Sequence, residues 1–264
     1  MGRMRDQVVV VTGASGGIGA ALAERVGREG GKPVLAARRE SELNEAAARS
    51  GPHALAVVAD LTRREDARRV LEQALARFGH VDVWVNNVGR GITRPVSELT
   101  DEDVDEMMRI NLKSALYGMQ TALTHFKERK RGHIINVSSM LGRVPYVPVR
   151  SAYSAAKHAL NALTANLRME LREAFPEIHV STVLPGVVAT EFGVHAVHGG
   201  RDSRSLPFSQ SAEDVAGVIA ALIENPRADV YTRPDLKAQV VAYYGAEDMA
   251  AAEVPPPGAP TTRP

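Results

Sequence analysis

The sequence predicts an α/β fold: one domain built on an open, doubly wound parallel sheet with helices on both faces. Three observations predict it. Short β-branched apolar runs alternate along the chain with longer stretches of helical spacing. The runs are apolar throughout, which is what strands buried on both faces require. The length of 264 residues, with 44% hydrophobic and 24% charged residues, suits one large domain and is short for two.

The elements follow in order. Val8–Thr12 is the first strand, and a Gly-rich turn comes after it. Residues 20–29, with Leu22 and Val26 at helical spacing, form the first helix. Residues 33–37 are the second strand; residues 53–59, bounded by Gly51-Pro52, are the third. Thr62 with Glu65 three residues later reads as a capping box that opens a helix to about Phe78. Residues 81–85 are the fourth strand. Thr100 with Asp103 opens one long helix through Met107, Ile110, Leu116 and Met119 to about Lys130. Residues 133–138 are the fifth strand. Residues 152–175 form an alanine-rich helix stopped by Pro176, and Ile178–Leu184 is the sixth strand. Residues 191–210 show no period. Ser211 and Asp214 start a further helix, whose Val215, Val218, Ile219, Leu222 and Ile223 make one apolar stripe. Asn225-Pro226 ends it, and residues 229–232 are the seventh strand. Residues 1–250 thus make the domain, with 191–210 as a substrate loop; the Pro-rich residues 251–264 are expected to be a disordered tail.

Composition narrows the function classes. The 32 Lys and Arg nearly balance 31 Asp and Glu, so the net charge of +1 gives no reason to expect nucleic acid or an anionic membrane as partner. The absence of Cys removes disulfides, thiolate nucleophiles and Cys-ligated metals. The start, Met1-Gly-Arg-Met-Arg-Asp-Gln, leads into an apolar run too short for a signal peptide, and no stretch is long enough to span a bilayer. The expectation is a cytoplasmic protein. No metal site is expected: His195 and His198 have no companion acid in a recognisable pattern.

In an open parallel sheet, ligands bind beyond the carboxyl ends of the strands. The first strand runs there into Thr12-Gly-Ala-Ser-Gly-Gly-Ile-Gly19. Small residues let the backbone turn sharply, and the next helix points free N–H groups at a phosphate-sized anion. No Lys-Ser/Thr follows the last Gly, so this is not a P-loop.

From here the sequence resembles the short-chain dehydrogenases/reductases. The Gly turn matches their TGxxxGIG motif. Asn86-Asn-Val-Gly89 resembles NNAG with Val88 for Ala, Asn136-Val-Ser-Ser139 their catalytic-Ser segment, and Tyr153-Ser-Ala-Ala-Lys157 their YxxxK. Pro185-Gly-Val-Val-Ala-Thr190 resembles PGxxxT, and the matches run in the family's order over residues 7–190. The resemblance implies a Rossmann-type fold, a nicotinamide cofactor and a carbonyl or alcohol substrate. It implies catalytic roles for Ser139, Tyr153, Lys157 and Asn111. It also implies cofactor contacts from Gly13, Ser15, Gly16, Gly17, Ile18, Gly19, Asp60, Leu61, Asn87, Gly89, Tyr153, Lys157, Pro185, Gly186, Val188 and Thr190. The family pairs subunits through its fourth and fifth helices, so a homodimer or homotetramer is expected.

At the end of the second strand an acid would bind a ribose 2′-hydroxyl, whereas Arg would grip a 2′-phosphate. The chain has Ala37 and then Arg38 and Arg39, which favours NADP(H) over NAD(H), through Arg38 with help from Arg39. Tyr153 and Lys157 share a helix face, and a cation beside a phenol lowers its pKa toward neutrality. Ser139 can polarise a substrate carbonyl. The 191–210 loop mixes apolar groups with Arg201 and Arg204, either of which could meet an anionic substrate. The competing readings are a catalytically silent dinucleotide-binding sensor or scaffold, and a different nucleotide-binding α/β enzyme.

Overall fold

β1 (Val8–Thr12) is buried along its whole length, as its four consecutive valines require, and lies mid-sheet. In the computed structural model, which describes residues 4–206 and 208–254, β1 pairs in parallel with β2 (Lys32–Ala37) on one side and β4 (Val83–Asn86) on the other. β3 (Leu55–Val58) pairs with β2. β5 (Gly132–Val137), β6 (Ile178–Leu184) and β7 (Asp229–Tyr231) continue outward from β4. The seven strands are parallel in the order 3-2-1-4-5-6-7. The order reverses between β1 and β4, the switch point at which such sheets open a crevice.

Alternate valines of β1 feed two cores. Val9 and Val11 pack with Leu22 and Val26 of α1 (Gly17–Arg28), Leu43 of α2 (Glu40–Arg49), and Val215 and Ile219 of α7 (Ala212–Glu224). Val8 and Val10 face the opposite layer: Val70 of α3 (Arg64–Phe78), Phe126 of α5 (Ser114–Arg129) and Leu160 of α6 (Ser151–Leu171). The chain therefore has the expected doubly wound, single-domain architecture. Among the described residues no helix is long and apolar enough to cross a membrane.

Several local expectations change. The Thr62–Glu65 capping box does not form: α3 begins at Arg64, and the Thr62 hydroxyl donates to Asp60 Oδ1 at 2.8 Å. The hydroxyl oxygen accepts from Arg109 Nη1 at 2.6 Å, the role that a helix amide would have had in the cap. The capping box at Thr100 does form, opening α4 (Asp101–Met108). The long helix it opens is not uniform, because a π-turn at Arg109–Lys113 separates α4 from α5. α2 is an element that the sequence reading passed over. So are α8 (Pro234–Tyr244) and α9 (Met249–Ala252). Ala251 and Ala252, assigned to the tail, end α9, and the rest of that Pro-rich tail from residue 255 lies outside the described residues. The 191–210 loop is tied down by bridges from Val197 to Ile92 and from Gln210 to Val188.

Candidate active site

β1 delivers the chain to Gly13, whose φ is +67°, and Gly17 follows with +53°, a region that favours glycine. A Cβ at Gly19 would collide with the Gly13 carbonyl oxygen, so glycine there lets α1 start tight against the turn. The first turn of α1 has no acidic residue and no side-chain cap. Its amides are left for an anion, and Gly16, Gly17 and Ile18 line a cavity of about 1070 Å³. Asn87, just after β4, braces the turn. Its N–H donates to Thr12 Oγ1 at 3.0 Å and its Nδ2 to the Thr12 carbonyl at 3.1 Å.

Along the cavity from this turn lie Ser139, Tyr153 and Lys157. α6 presents the last two one helical turn apart, with Lys157 Nζ 5.8 Å from the centre of the Tyr153 ring. Lys157 Nζ donates to the Val137 carbonyl at 2.9 Å, which ties α6 to the end of β5. Ser139 follows β5, accepts from the Leu141 N–H at 3.1 Å and hydrogen-bonds Tyr153. Ser138, its neighbour, turns its Oγ instead toward the Lys157 carbonyl at 3.5 Å.

Asn111 sits in the π-turn and is fully buried. Its Oδ1 accepts from the Arg90 N–H at 3.0 Å, and its Nδ2 donates to the Arg90 carbonyl at 2.9 Å. It stands behind the cavity wall. A Cβ at Gly89 would lie 3.2 Å from Asn111 Oδ1 and 3.7 Å from Lys157 Nζ, so glycine keeps these two groups close.

Burial pushes the Tyr153 phenol up, and the Ser139 hydrogen bond and the Arg150 charge work against that. Burial also pulls the Lys157 ammonium down to about 8. The Val137 carbonyl takes one of the three Lys157 N–H donors, and the Arg150 charge also acts on Tyr153.

The remaining predicted residues divide into two groups. Gly13, Arg39, Asn87, Gly89, Pro185, Gly186, Val188 and Thr190 line the cavity with the residues above. Ser15 lies beneath the Arg39 side chain: its Oγ accepts from Arg39 Nη2 at 3.1 Å. Arg38 is exposed and off the cavity wall. Leu61 is buried in the core, and the Asp60 carboxylate is taken up by Thr62. His198 pairs with Asp103 at 2.8 Å, an ordinary structural contact. Sequence reasoning missed Arg150, Thr93 and the α8 residues Leu236 and Gln239, which also line the cavity. The 236, 240, 243 spacing of Leu236, Val240 and Tyr243 was the available signal for α8.

A family model described as short chain dehydrogenase matches residues 7–198. The chain is similar to the uncharacterized oxidoreductase YxnA of Bacillus subtilis, with 35% identity over 92% of this chain and 69% of the relative. It resembles the crystal structure of a short chain dehydrogenase/reductase from Burkholderia phymatum in complex with NAD, with a TM-score of 0.85, 26% identity, and 97% and 98% of the two chains covered. A likeness also holds to an alcohol dehydrogenase from the archaeon Thermococcus sibiricus complexed with 5-hydroxy-NADP, with a TM-score of 0.75, 26% identity, and coverage of 86% and 96%.

Proposed function

Because the chain belongs to the short-chain dehydrogenase family, we propose that this oxidoreductase is NADP(H)-dependent and interconverts a carbonyl and an alcohol, with Tyr153 as its general acid–base. The observation that carries the reading is the convergence of Ser139 on Tyr153, with Lys157 one turn away, along one cavity that begins at the Gly turn.

The residues present fit a dinucleotide. Uncapped amides at Gly16, Gly17 and Ile18 suit the pyrophosphate, and Gly13 and Gly17 keep side chains out of the turn. Asn87, Gly89 and the segment from Pro185 to Thr190 would flank the remainder. When bound, the cofactor supplies or accepts the hydride. Ser139 Oγ donates to the substrate carbonyl oxygen and holds it beside Tyr153. Tyr153 Oη gives its proton to that oxygen in reduction and takes it back in oxidation. Lys157, whose Nζ faces the same space near Gly89, reaches the ribose hydroxyls and supports the phenolate. Asn111 fixes the Arg90 backbone and supports the Lys157 region from behind.

The NADP(H) preference rests on Ala37, which offers no acid, and on Arg39. Arg39 lines the cavity with its Nη2 3.2 Å from where a Gly16 Cβ would be, and Glu42 holds its Nη1 at 3.2 Å. Arg39 thus takes the principal part first assigned to Arg38. One solved relative carries NAD and another an NADP derivative, so the two cofactors need direct comparison. The test is nicotinamide absorbance with a panel of ketones and aldehydes, run with NADPH and NADH in parallel. Turnover faster with NADPH supports the reading; a preference for NADH overturns the cofactor assignment. Arg39→Ala should raise the ratio of the NADPH to the NADH dissociation constant about tenfold or more, the worth of charge-assisted hydrogen bonds. A homo-oligomer built on the α4–α5 stretch and α6 belongs to the same reading, with Met169 of α6 59% exposed. A sedimentation mass of one chain at micromolar concentration would refute it.

A further inference from the structure

Resting on the carbonyl–alcohol reading, we propose that the substrate carries a carboxylate close to its reacting carbon, and that Arg150 binds it. Arg150 caps the start of α6, three residues before Tyr153, and lines the cavity. Residues three apart on a helix are neighbours on one face, with Cβ atoms about 5–6 Å apart. Its Nη1 donates to the Ile92 carbonyl at 3.0 Å.

Three other arginines here are neutralised; of the remaining two on the cavity wall, Arg201 is exposed and Arg90 gives its Nε to the His195 carbonyl at 2.8 Å. Arg39 pairs with Glu42, Arg204 with Asp202 and Glu191, and Arg233 with Asp235. Half-buried Arg150 forms no such ion pair among the described residues. A guanidinium withdrawn from water without a counter-charge is costly, and a ligand anion would relieve that cost. Burial indeed works against its charge, and only the Tyr153 phenol acts the other way.

The surroundings keep it reachable. A Cβ at Gly91 would come 2.7 Å from Nη1, and one at Gly200 would come 3.1 Å from Nη2. Glycine at these two positions lets the chain pass close to the guanidinium without a side chain against it, and Arg150 still lines the cavity. Arg201, exposed and next to Gly200, adds positive charge on the same wall. The edge of Arg150 not engaged by Ile92 offers parallel N–H groups, a match for a planar carboxylate. With Tyr153 one turn along, an acid bound there leaves its carbonyl one or two carbons away at Ser139 and Tyr153. Met140, Leu141, Phe192 and Leu206 supply an apolar wall for the remainder. The substrate class is therefore a 2- or 3-oxo acid, or the matching hydroxy acid, with an apolar body.

The experiment compares benzoylformate with its uncharged methyl ester, using NADPH, in the wild type, Arg150→Gln and Arg150→Lys. In Arg150→Gln, kcat/KM for the acid should fall at least about tenfold further than for the ester, with Arg150→Lys between. Equal losses on both would assign Arg150 to Tyr153 alone and overturn the proposal, as would no loss on either. Benzoate and benzamide titrated into the NADPH complex, read by nicotinamide fluorescence, need no turnover and no variant. Tighter binding of benzoate in the wild type supports the site; indifference overturns it. Turnover of the ester with no advantage for acids sinks the carboxylate while the carbonyl reading stands. A benzoate preference with no turnover of any carbonyl compound does the reverse.

Discussion

Tyr153 shows how a side chain's surroundings, and not its identity, set its chemistry. It is 7% exposed, and burial favours its neutral form, so the hydroxyl enters the reaction as an acid that is already protonated. In the oxidative direction it must instead lose that proton, and Ser139 and Arg150 ease that loss. Tyr153→Phe removes only the oxygen and leaves the edge-on contact with Phe192, whose ring centre lies 5.5 Å away. Turnover should drop by about 10²–10⁴ while the NADPH dissociation constant stays the same. Near-normal turnover by that variant would falsify the acid–base assignment. Lys157→Ala should differ in kind. It takes away the contact with the Val137 carbonyl as well as the ammonium, so cofactor affinity and turnover should fall together in the same titrations.

At the scale of elements, α4 and its cap do more than start a helix. Asp103 closes the capping box with Thr100, pairs with Arg94 at 2.6 Å and receives His198 at 2.8 Å. Burial raises its pKa, but hydrogen bonds from His198, Arg94 and the Thr100 N–H outweigh that and hold it at about 2. The 191–210 loop is thereby fastened to α4, next to the Ile92–Val197 bridge. Thr100→Ala should cost only the cap, about 1 kcal/mol in urea unfolding. Asp103→Ala should cost more, roughly 3–5 kcal/mol, because it leaves the Arg94 guanidinium without its partner. It should also speed proteolytic cutting within residues 191–206, whereas Thr100→Ala should not. Equal rates of cutting in the two variants would mean that Asp103 does not anchor the loop. The π-turn has a comparable local logic. It places Asn111 where both ends of its amide meet the Arg90 backbone, a match made across 21 residues of sequence.

For the whole molecule, two buried bases set how stability follows pH. His133, in β5, is 4% exposed, and burial pulls it to about 3, with His179 nearby adding to the effect. Between pH 6.5 and about 3 the unfolded chain binds the proton and the folded one does not. Stability therefore falls as pH falls through that window, by at most about 1.4 kcal/mol per unit from this residue. Lys157, at about 8 against 10.5 when unfolded, acts in the same direction at the alkaline end, so stability rises from pH 8 to 10. Beyond pH 10 the raised Tyr153 reverses the trend, since the unfolded phenol ionises first. Urea midpoints against pH should flatten between pH 4 and 6 in His133→Leu and between pH 8 and 10 in Lys157→Met. Unchanged slopes would mean that these groups are solvated in the folded chain.

The sequence by itself determined the sheet, the position of the Gly turn and the line of residues along the cavity. Val8 to Val11 can be satisfied only between two helical layers, and glycines at 13, 17 and 19 serve a turn whose needs are local. Tyr153 and Lys157 share a face through helix geometry alone. Only the tertiary structure decided the rest, because it depends on partners far apart in the chain. Thr62 is held between Asp60 and Arg109 instead of capping, and Arg39 rather than Arg38 turns over Ser15. Lys157 goes to the Val137 carbonyl, and Arg150 comes to act on Tyr153 with its own charge unpaired among the described residues. Such choices turn on which carbonyl or carboxylate folding brings within about 3 Å of a donor. Periodicity records which side of an element is buried, but it carries no information about that distance.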